Sequence, residues 1–214
     1  TPDGATLSAT LVRPSDVREP LPTLLKFTIY TRLDQAIEDG KRIAARGYAS
    51  VVADARGKRL SPDRISPYEH DGVDATAVID WIARQSWSNG KVGMWGGSYD
   101  GFTAWAAAKH RHPALKTIAV SAAAIPGLGL PMHNNVFLNA NYGWAFYVTN
   151  NKLLDETTYR QNDRWRKMQF DWFATGRPYR EYDSVDGTPN PWFQRWITHP
   201  SYDEYWQAMV PYQQ

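Results

Sequence analysis

Over the first 124 residues the chain switches repeatedly between two periods of hydrophobicity. Thr6 to Arg13 alternates loosely and stops at Pro14, which predicts a strand. Leu21 to Tyr30 is a short apolar run with strand character. Asp34 is placed to cap a helix with Ile37, Ala44 and Ala45 on one face and Gly47 as its stop. Tyr48 to Ala53 reads as a strand buried on both faces. Between Asp71 and Gln85, the residues Val73, Ala77, Trp81 and Ile82 recur at helical spacing, with Asp74 and Asp80 turned away. Lys91 to Trp95 is a short strand, Tyr99 to Lys109 a small-residue helix, and Leu115 to Ala122 another apolar strand. The alternation predicts a mostly parallel sheet with helices on both faces. Ligands in such sheets bind at the carboxyl ends of the strands, so the loops after Tyr30, Asp54, Trp95 and Ser121 are expected near one mouth.

After about Ile125 the texture changes. Of 29 aromatic residues, 18 lie between Tyr142 and Tyr212, and no clean strand signal is expected anywhere after Ile125. Leu153 to Thr175 has helical character and Asp203 to Met209 reads as a short helix. The expected fold class is α/β. Residues 1–124 would form part of a sheet with its helices, and 125–214 an aromatic-rich helical cap inserted after a strand.

Composition narrows the function classes. Hydrophobic residues make up 43% and charged residues 21%, an ordinary globular mix. The net charge is +2, from 24 basic and 22 acidic residues, and no Lys/Arg run occurs. That balance argues against a nucleic-acid partner, because phosphate binding needs clustered cations. The chain has no cysteine, which excludes a disulfide framework, a thiol nucleophile and a Cys-ligated zinc site, while leaving the compartment open. No apolar run approaches the roughly 18 residues of a membrane span, so no membrane partner is expected. No secretory leader pattern is visible, and Thr1-Pro2-Asp3-Gly4 reads as the middle of a polypeptide. The five histidines make no metal pattern, and neither metal nor cofactor is expected.

The candidate chemistry centres on Gly96-Gly97-Ser98-Tyr99-Asp100-Gly101. It is a variant of the G-x-S-x-G nucleophile elbow, with Asp at position 100 where the strict pattern has Gly. A turn this sharp between strand and helix strains the Ser backbone and needs small neighbours, which Gly96, Gly97 and Gly101 supply. Ser98 would project at a helix N-terminus, where the dipole favours a developing oxyanion and the Tyr99 N–H can donate to it. The competing reading is a Gly-rich turn with an ordinary Ser N-cap.

At these residues the chain resembles the X-Pro dipeptidyl-peptidase and cocaine esterase family of α/β-hydrolases. Trp87-Ser88-Asn89-Gly90-Lys91-Val92-Gly93-Met94-Trp95-Gly96-Gly97-Ser98-Tyr99 is similar to its nucleophile segment almost residue for residue. Asp3-Gly4 with Leu7 and Arg13-Pro14, Gly47-Tyr48 through Asp54-Ala55-Arg56-Gly57, and His199-Pro200-Ser201-Tyr202-Asp203-Glu204-Tyr205-Trp206 resemble further blocks. The resemblance therefore covers nearly the whole chain. It implies a serine hydrolase acting on a small ester, amide or short peptide through an acyl-enzyme on Ser98. Tyr30, which the residues alone read as a core tyrosine at a strand end, matches the family's oxyanion tyrosine, and the Tyr99 N–H would be the second donor. Two departures stand out. Ile29 replaces the usual Pro before that tyrosine. Met132-His133-Asn134-Asn135-Val136-Phe137 carries amides where a carboxylate holding a substrate ammonium would sit.

The triad order in this fold is Ser, acid, His, so the acid and the His are expected beyond Gln214. Asp186 and His199 have the right order but no sheet strand before them, and His199 reads as structural. Arg56 reads as a buried ion pair bracing the D-x-R-G loop rather than as a substrate contact. Without acid and base the 214 residues alone should be nearly inactive. A homo-oligomer or a complementing C-terminal segment are the partners this leaves open. The rival reading is a non-catalytic module whose aromatic region binds sugars or apolar ligands.

Overall fold

The computed structural model describes residues 1–209, whose chain forms two compact units, Thr1–Ile125 with Met209, and Pro126–Ala208. In the first, β1 (Ala9–Val12), β2 (Leu21–Thr28), β3 (Ala49–Asp54), β4 (Ser88–Gly97) and β5 (Leu115–Ser121) form one sheet in the order β1-β3-β2-β4-β5. β1 runs antiparallel to β3 and every other pair is parallel. The crossovers are α1 (Leu33–Ala44), α2 (Asp71–Ala83) and α3 (Tyr99–Ala108). The step from β2 to β3 goes one way along the sheet, and the step from β3 to β4 returns past β2. Right-handed crossovers then put α1 on one face and both α2 and α3 on the other, where they pack against each other. The chain thus leaves β2 and β4, which are neighbours, in opposite directions. Such a reversal opens a crevice at the carboxyl ends of the two strands.

The elements depart from the sequence pattern where tertiary partners intervene. β1 begins at Ala9 rather than Thr6, because the segment before it bonds to loops: Thr6 N–H donates to Asp63 (3.1 Å) and Ser8 C=O accepts from Asp54 N–H (2.8 Å). Arg32, not Asp34, occupies the N-cap of α1. Asp34 sits in the first turn, where its charge complements the helix dipole. The buried face of α1 is Ala36 and Gly40, while Ala45 is exposed. Gly47 does end that stretch, with φ 81° and its N–H on the Ala44 carbonyl (3.0 Å).

α2 is rotated from its expected orientation. Its buried residues are Asp71, Asp74, Ala75, Val78, Ile79 and Ile82, and Val73 and Trp81 are exposed. The 3.6-residue period admits two stripes here, and the one chosen takes in Asp74 because Arg56 neutralises it. Arg56 grips both Asp74 oxygens, Nε–Oδ2 at 2.9 Å and Nη2–Oδ1 at 2.6 Å, and also reaches Asp3 at 2.6 Å. The expected brace of the D-x-R-G loop is therefore present.

The second unit is helical: α4 (Ala140–Thr149), α5 (Glu156–Tyr159), α6 (Asn162–Thr175), a 3-10 turn at Tyr179–Glu181, α7 (Tyr182–Asp186), α8 (Pro191–Ile197) and α9 (Glu204–Met209). Tyr142, Tyr182 and Phe193 meet at its centre with ring centroids 5.2–5.8 Å apart. A short hairpin, β6 (Met132–His133) and β7 (Val136–Phe137), opens the unit and departs from the expectation of no strand there. Its two turn residues, Asn134 and Asn135, both have positive φ (48° and 66°), which suits Asn and matches a two-residue hairpin turn. Those amides are turn formers, and their side chains are exposed. Among the described residues no helix is long and apolar enough to cross a membrane.

Candidate active site

β4 ends at Gly97 and α3 begins at Tyr99, so the reversal is made at Ser98 alone. Its φ is 55° and ψ −120°, a backbone conformation that residues with a Cβ rarely adopt. Backbone bonds hold it there. Ser98 N–H donates to the Ser121 carbonyl (3.0 Å), and the Ser98 carbonyl accepts from Phe102 (3.1 Å) and Ala124 (2.9 Å). The Ser98 side chain is exposed and makes no capping bond to α3, which sets aside the ordinary N-cap reading.

The glycines explain how the variant pattern works. A Cβ at Gly96 would lie 2.4 Å from the Asp100 Cβ, and one at Gly101 would lie 3.0 Å from the Ala123 Cβ. Strand and helix approach so closely at 96 that a side chain there would meet both the Asp100 Cβ and the Asp100 backbone, so the glycine is needed at 96 and the side chain is carried at 100. Asp100 is buried and its carboxyl pairs with Lys26 at 3.6 Å. Burial pushes that carboxyl up to about 6 despite the hydroxyl of Thr28 and the ammonium of Lys26.

Tyr30 follows β2, and Tyr99 follows β4. In the parallel register Leu25 faces Met94, so each tyrosine lies five residues past a paired position. Their rings meet edge-on with centroids 6.1 Å apart. Tyr30 is half-buried, and its backbone N–H donates to Thr28 Oγ1 at 2.9 Å. Ile29, in the place of a proline, is buried in the core. Tyr99 supplies the first backbone amide of α3, next to Ser98, while its ring points inward and is fully buried.

Two residues near the turn were not singled out from sequence. Tyr68 N–H donates to the Tyr99 hydroxyl (2.8 Å), and that hydroxyl donates to Asp71 Oδ2 (2.9 Å). Burial, with the nearby Asp74 charge adding to it, pushes the Asp71 carboxyl up to about 7 even though Tyr99 bonds to it. Burial likewise raises the Tyr99 phenol well above its ordinary range. Both residues stand some 30 positions before the elbow, and no local pattern ties them to it.

Among the described residues no histidine is hydrogen-bonded to the Ser98 side chain. His110 follows α3 at the end away from Ser98, about 15 Å along the axis at 1.5 Å per residue. His199 pairs with Asp203 (2.7 Å) and stacks on Tyr205, whereas Asp186 is held by Arg164 (2.5 Å). Asp186 and His199 are therefore not a pair. No group of three or more His, Asp or Glu among the described residues could hold a metal.

Sheet order, topological switch point and strained serine turn together define an α/β-hydrolase core. The chain belongs to the X-Pro dipeptidyl-peptidase (S15) family, whose model matches residues 3–214. It is 30% identical to the cocaine esterase of Rhodococcus sp. (strain MB1 Bresler) over 97% of this chain and 38% of that protein. An α-amino acid ester hydrolase structure superposes with a TM-score of 0.76 at 25% identity, covering 97% of this chain and 38% of that one. An aminopeptidase from a marine sediment Thaumarchaeota archaeon shares the fold, with a TM-score of 0.72 at 22% identity over 97% and 38%. The chain thus spans 38% of the length of these relatives.

Proposed function

We propose that Ser98 is the nucleophile of a serine hydrolase that cleaves ester or amide bonds of small substrates. The observation that carries this is the Ser98 backbone: an exposed hydroxyl on a strained residue, at the N-terminus of α3, beside the switch point of the sheet. Strain of this kind persists where a site over-determines it. Family membership and the esterase and ester-hydrolase relatives support the same reaction class.

In this reading Ser98 Oγ attacks the substrate carbonyl carbon and gives its proton to a histidine base. The Tyr30 hydroxyl and the Tyr99 N–H donate to the oxyanion of the tetrahedral intermediate. Collapse expels the alcohol or amine with that proton, and water then hydrolyses the acyl-Ser98 ester. The acid and the histidine of the triad are read as lying outside these 214 residues.

A fluorophosphonate probe tests the assignment in a full-length protein carrying this chain. The wild type is expected to take up one label, on Ser98, and Ser98→Ala none. A wild type that stays unlabelled, or an alanine variant that labels equally, overturns it and leaves the ligand-binding reading of the aromatic region.

A further inference from the structure

Tyr68, Asp71 and the Tyr99 side chain take no part in the acyl transfer above, yet all three are buried beside the turn. The Tyr99 hydroxyl lies between the other two, accepting from Tyr68 N–H at 2.8 Å and donating to Asp71 Oδ2 at 2.9 Å. Asp71 opens α2, and Tyr68 lies in the turn three residues before it. One hydroxyl therefore ties the first residue of α3 to the entry of α2. The residues on both sides of the tie hold positive φ, 55° at Ser98 and 72° at Tyr68, which non-glycine residues keep only where their surroundings enforce it. The rings of Tyr68 and Phe102 clamp Tyr99 from 4.9 Å and 5.5 Å.

Packing alone does not account for this arrangement. A phenylalanine at 99 would fill the same space without a buried carboxyl. Asp71 Oδ1 has no hydrogen-bond partner in its buried site, a costly state for a structural residue. The polar tie has its obvious use in fixing residue 99, whose amide and whose neighbour Ser98 must address one carbonyl together.

We propose that Asp71 is a positioning residue for the nucleophile turn, acting through the Tyr99 hydroxyl to aim Ser98 Oγ and the Tyr99 N–H at the same substrate carbonyl. This rests on the reading of Ser98 as nucleophile. Because the oxyanion contact strengthens in the transition state, the tie governs kcat more than KM.

The test uses the full-length hydrolase carrying this chain. Turnover of a p-nitrophenyl ester, the rate of fluorophosphonate labelling and thermal unfolding are measured for Tyr99→Phe, Asp71→Leu and Asp71→Asn. Tyr99→Phe and Asp71→Leu are each expected to lower kcat and the labelling rate about tenfold with KM within about twofold. The double variant is expected to be no slower than the worse single one, because both break the same tie. Asp71→Asn, whose side-chain oxygen still accepts from the hydroxyl, is expected to recover to within about threefold of wild type. Wild-type rates in Tyr99→Phe, a loss confined to KM, or an Asp71→Asn as slow as Asp71→Leu each overturn the proposal. If Asp71→Leu does not fold, Tyr99→Phe decides, since it removes one hydroxyl and nothing else. Failure of the Ser98 reading shows separately, as an unlabelled wild type or a labelled Ser98→Ala.

Discussion

A methyl group on residue 96 would sit 2.4 Å from the Asp100 Cβ and 2.9 Å from the Asp100 carbonyl carbon and oxygen. The last two are backbone atoms and cannot swing aside, so Gly96→Ala forces the turn to open. The expected cost is about 1–3 kcal/mol, as for other overpacked sites. Labelling of Ser98 should fall with it. Adding Asp100→Gly removes the 2.4 Å contact and leaves the others, so the pair should recover part of the stability but not all. Thermal unfolding of the three variants checks this. A Gly96→Ala protein with an unchanged midpoint would show that strand and helix are not as closely apposed as the geometry requires. At this scale the turn itself was legible, because small residues around a serine between an apolar strand and a helix signal one arrangement. The exchange of Gly for Asp at 100 became explicable only once the 96–100 distance was known. The dependence of Tyr99 on Tyr68 and Asp71 could not be read at all, since hydrogen bonds across some 30 residues leave no local pattern.

Among the elements, α2 teaches most. Val73, Ala77 and Trp81 form a plausible apolar stripe, yet the helix buries the stripe that contains Asp74. Periodicity finds the helix and leaves its rotation open, because a carboxylate counts as polar until its partner is known. That partner is Arg56, from the loop after β3, with its side chain 12% exposed against 1% for Asp74. Removing one member of such a pair strands the other, and the loss exceeds the net worth of the pair. Arg56→Ala is therefore expected to destabilise the first unit by about 3–5 kcal/mol. The double variant Arg56→Leu with Asp74→Leu should cost less than Arg56→Ala alone. Arg56→Lys should fall between, because an ammonium cannot match the two-pronged contact. Asp3→Asn, at the exposed end of the cluster, should be nearly silent. Urea titrations of these variants decide the matter, and a double variant worse than Arg56→Ala would refute it. The hairpin at β6 and β7 shows the reverse case. Its signal, paired asparagines between apolar residues, stands in the sequence, and two-residue turn chemistry, not ligand chemistry, accounts for it.

For the molecule as a whole, the α/β alternation and the helical, aromatic second unit were legible, because composition and period change together near residue 125. Which rings would meet there was not, since aromatic packing depends on helix orientation and many pairings satisfy the same composition. The same holds for charge. A net +2 says little about pH response, which is set by a few buried carboxyls. Asp71 and Asp100 are raised to about 7 and about 6, in both cases mainly by burial, from an ordinary value of 3.8. A raised group holds its proton in the folded chain at a pH where the unfolded chain has released it. Its contribution to stability is therefore whole below about pH 4 and is lost as pH rises through the folded value. Asp3, Asp63 and Glu38 are lowered, chiefly by bonds to Arg56, Thr6 and Lys41 respectively, but they face solvent, where screening leaves such pairs little weight in stability. The two buried carboxyls therefore set the trend, and their contribution falls as pH rises from about 4 toward their folded values. Asp71→Asn removes one titration while keeping an acceptor for the Tyr99 hydroxyl. Relative to wild type it should gain stability progressively between pH 4 and 7, with a slope approaching about 1.4 kcal/mol per pH unit and a total of about 2–4 kcal/mol. Urea midpoints of both proteins at pH 4, 5.5, 7 and 8 measure that slope. A constant difference across the series would mean that Asp71 titrates alike in the folded and unfolded chain, and that burial does not hold its proton.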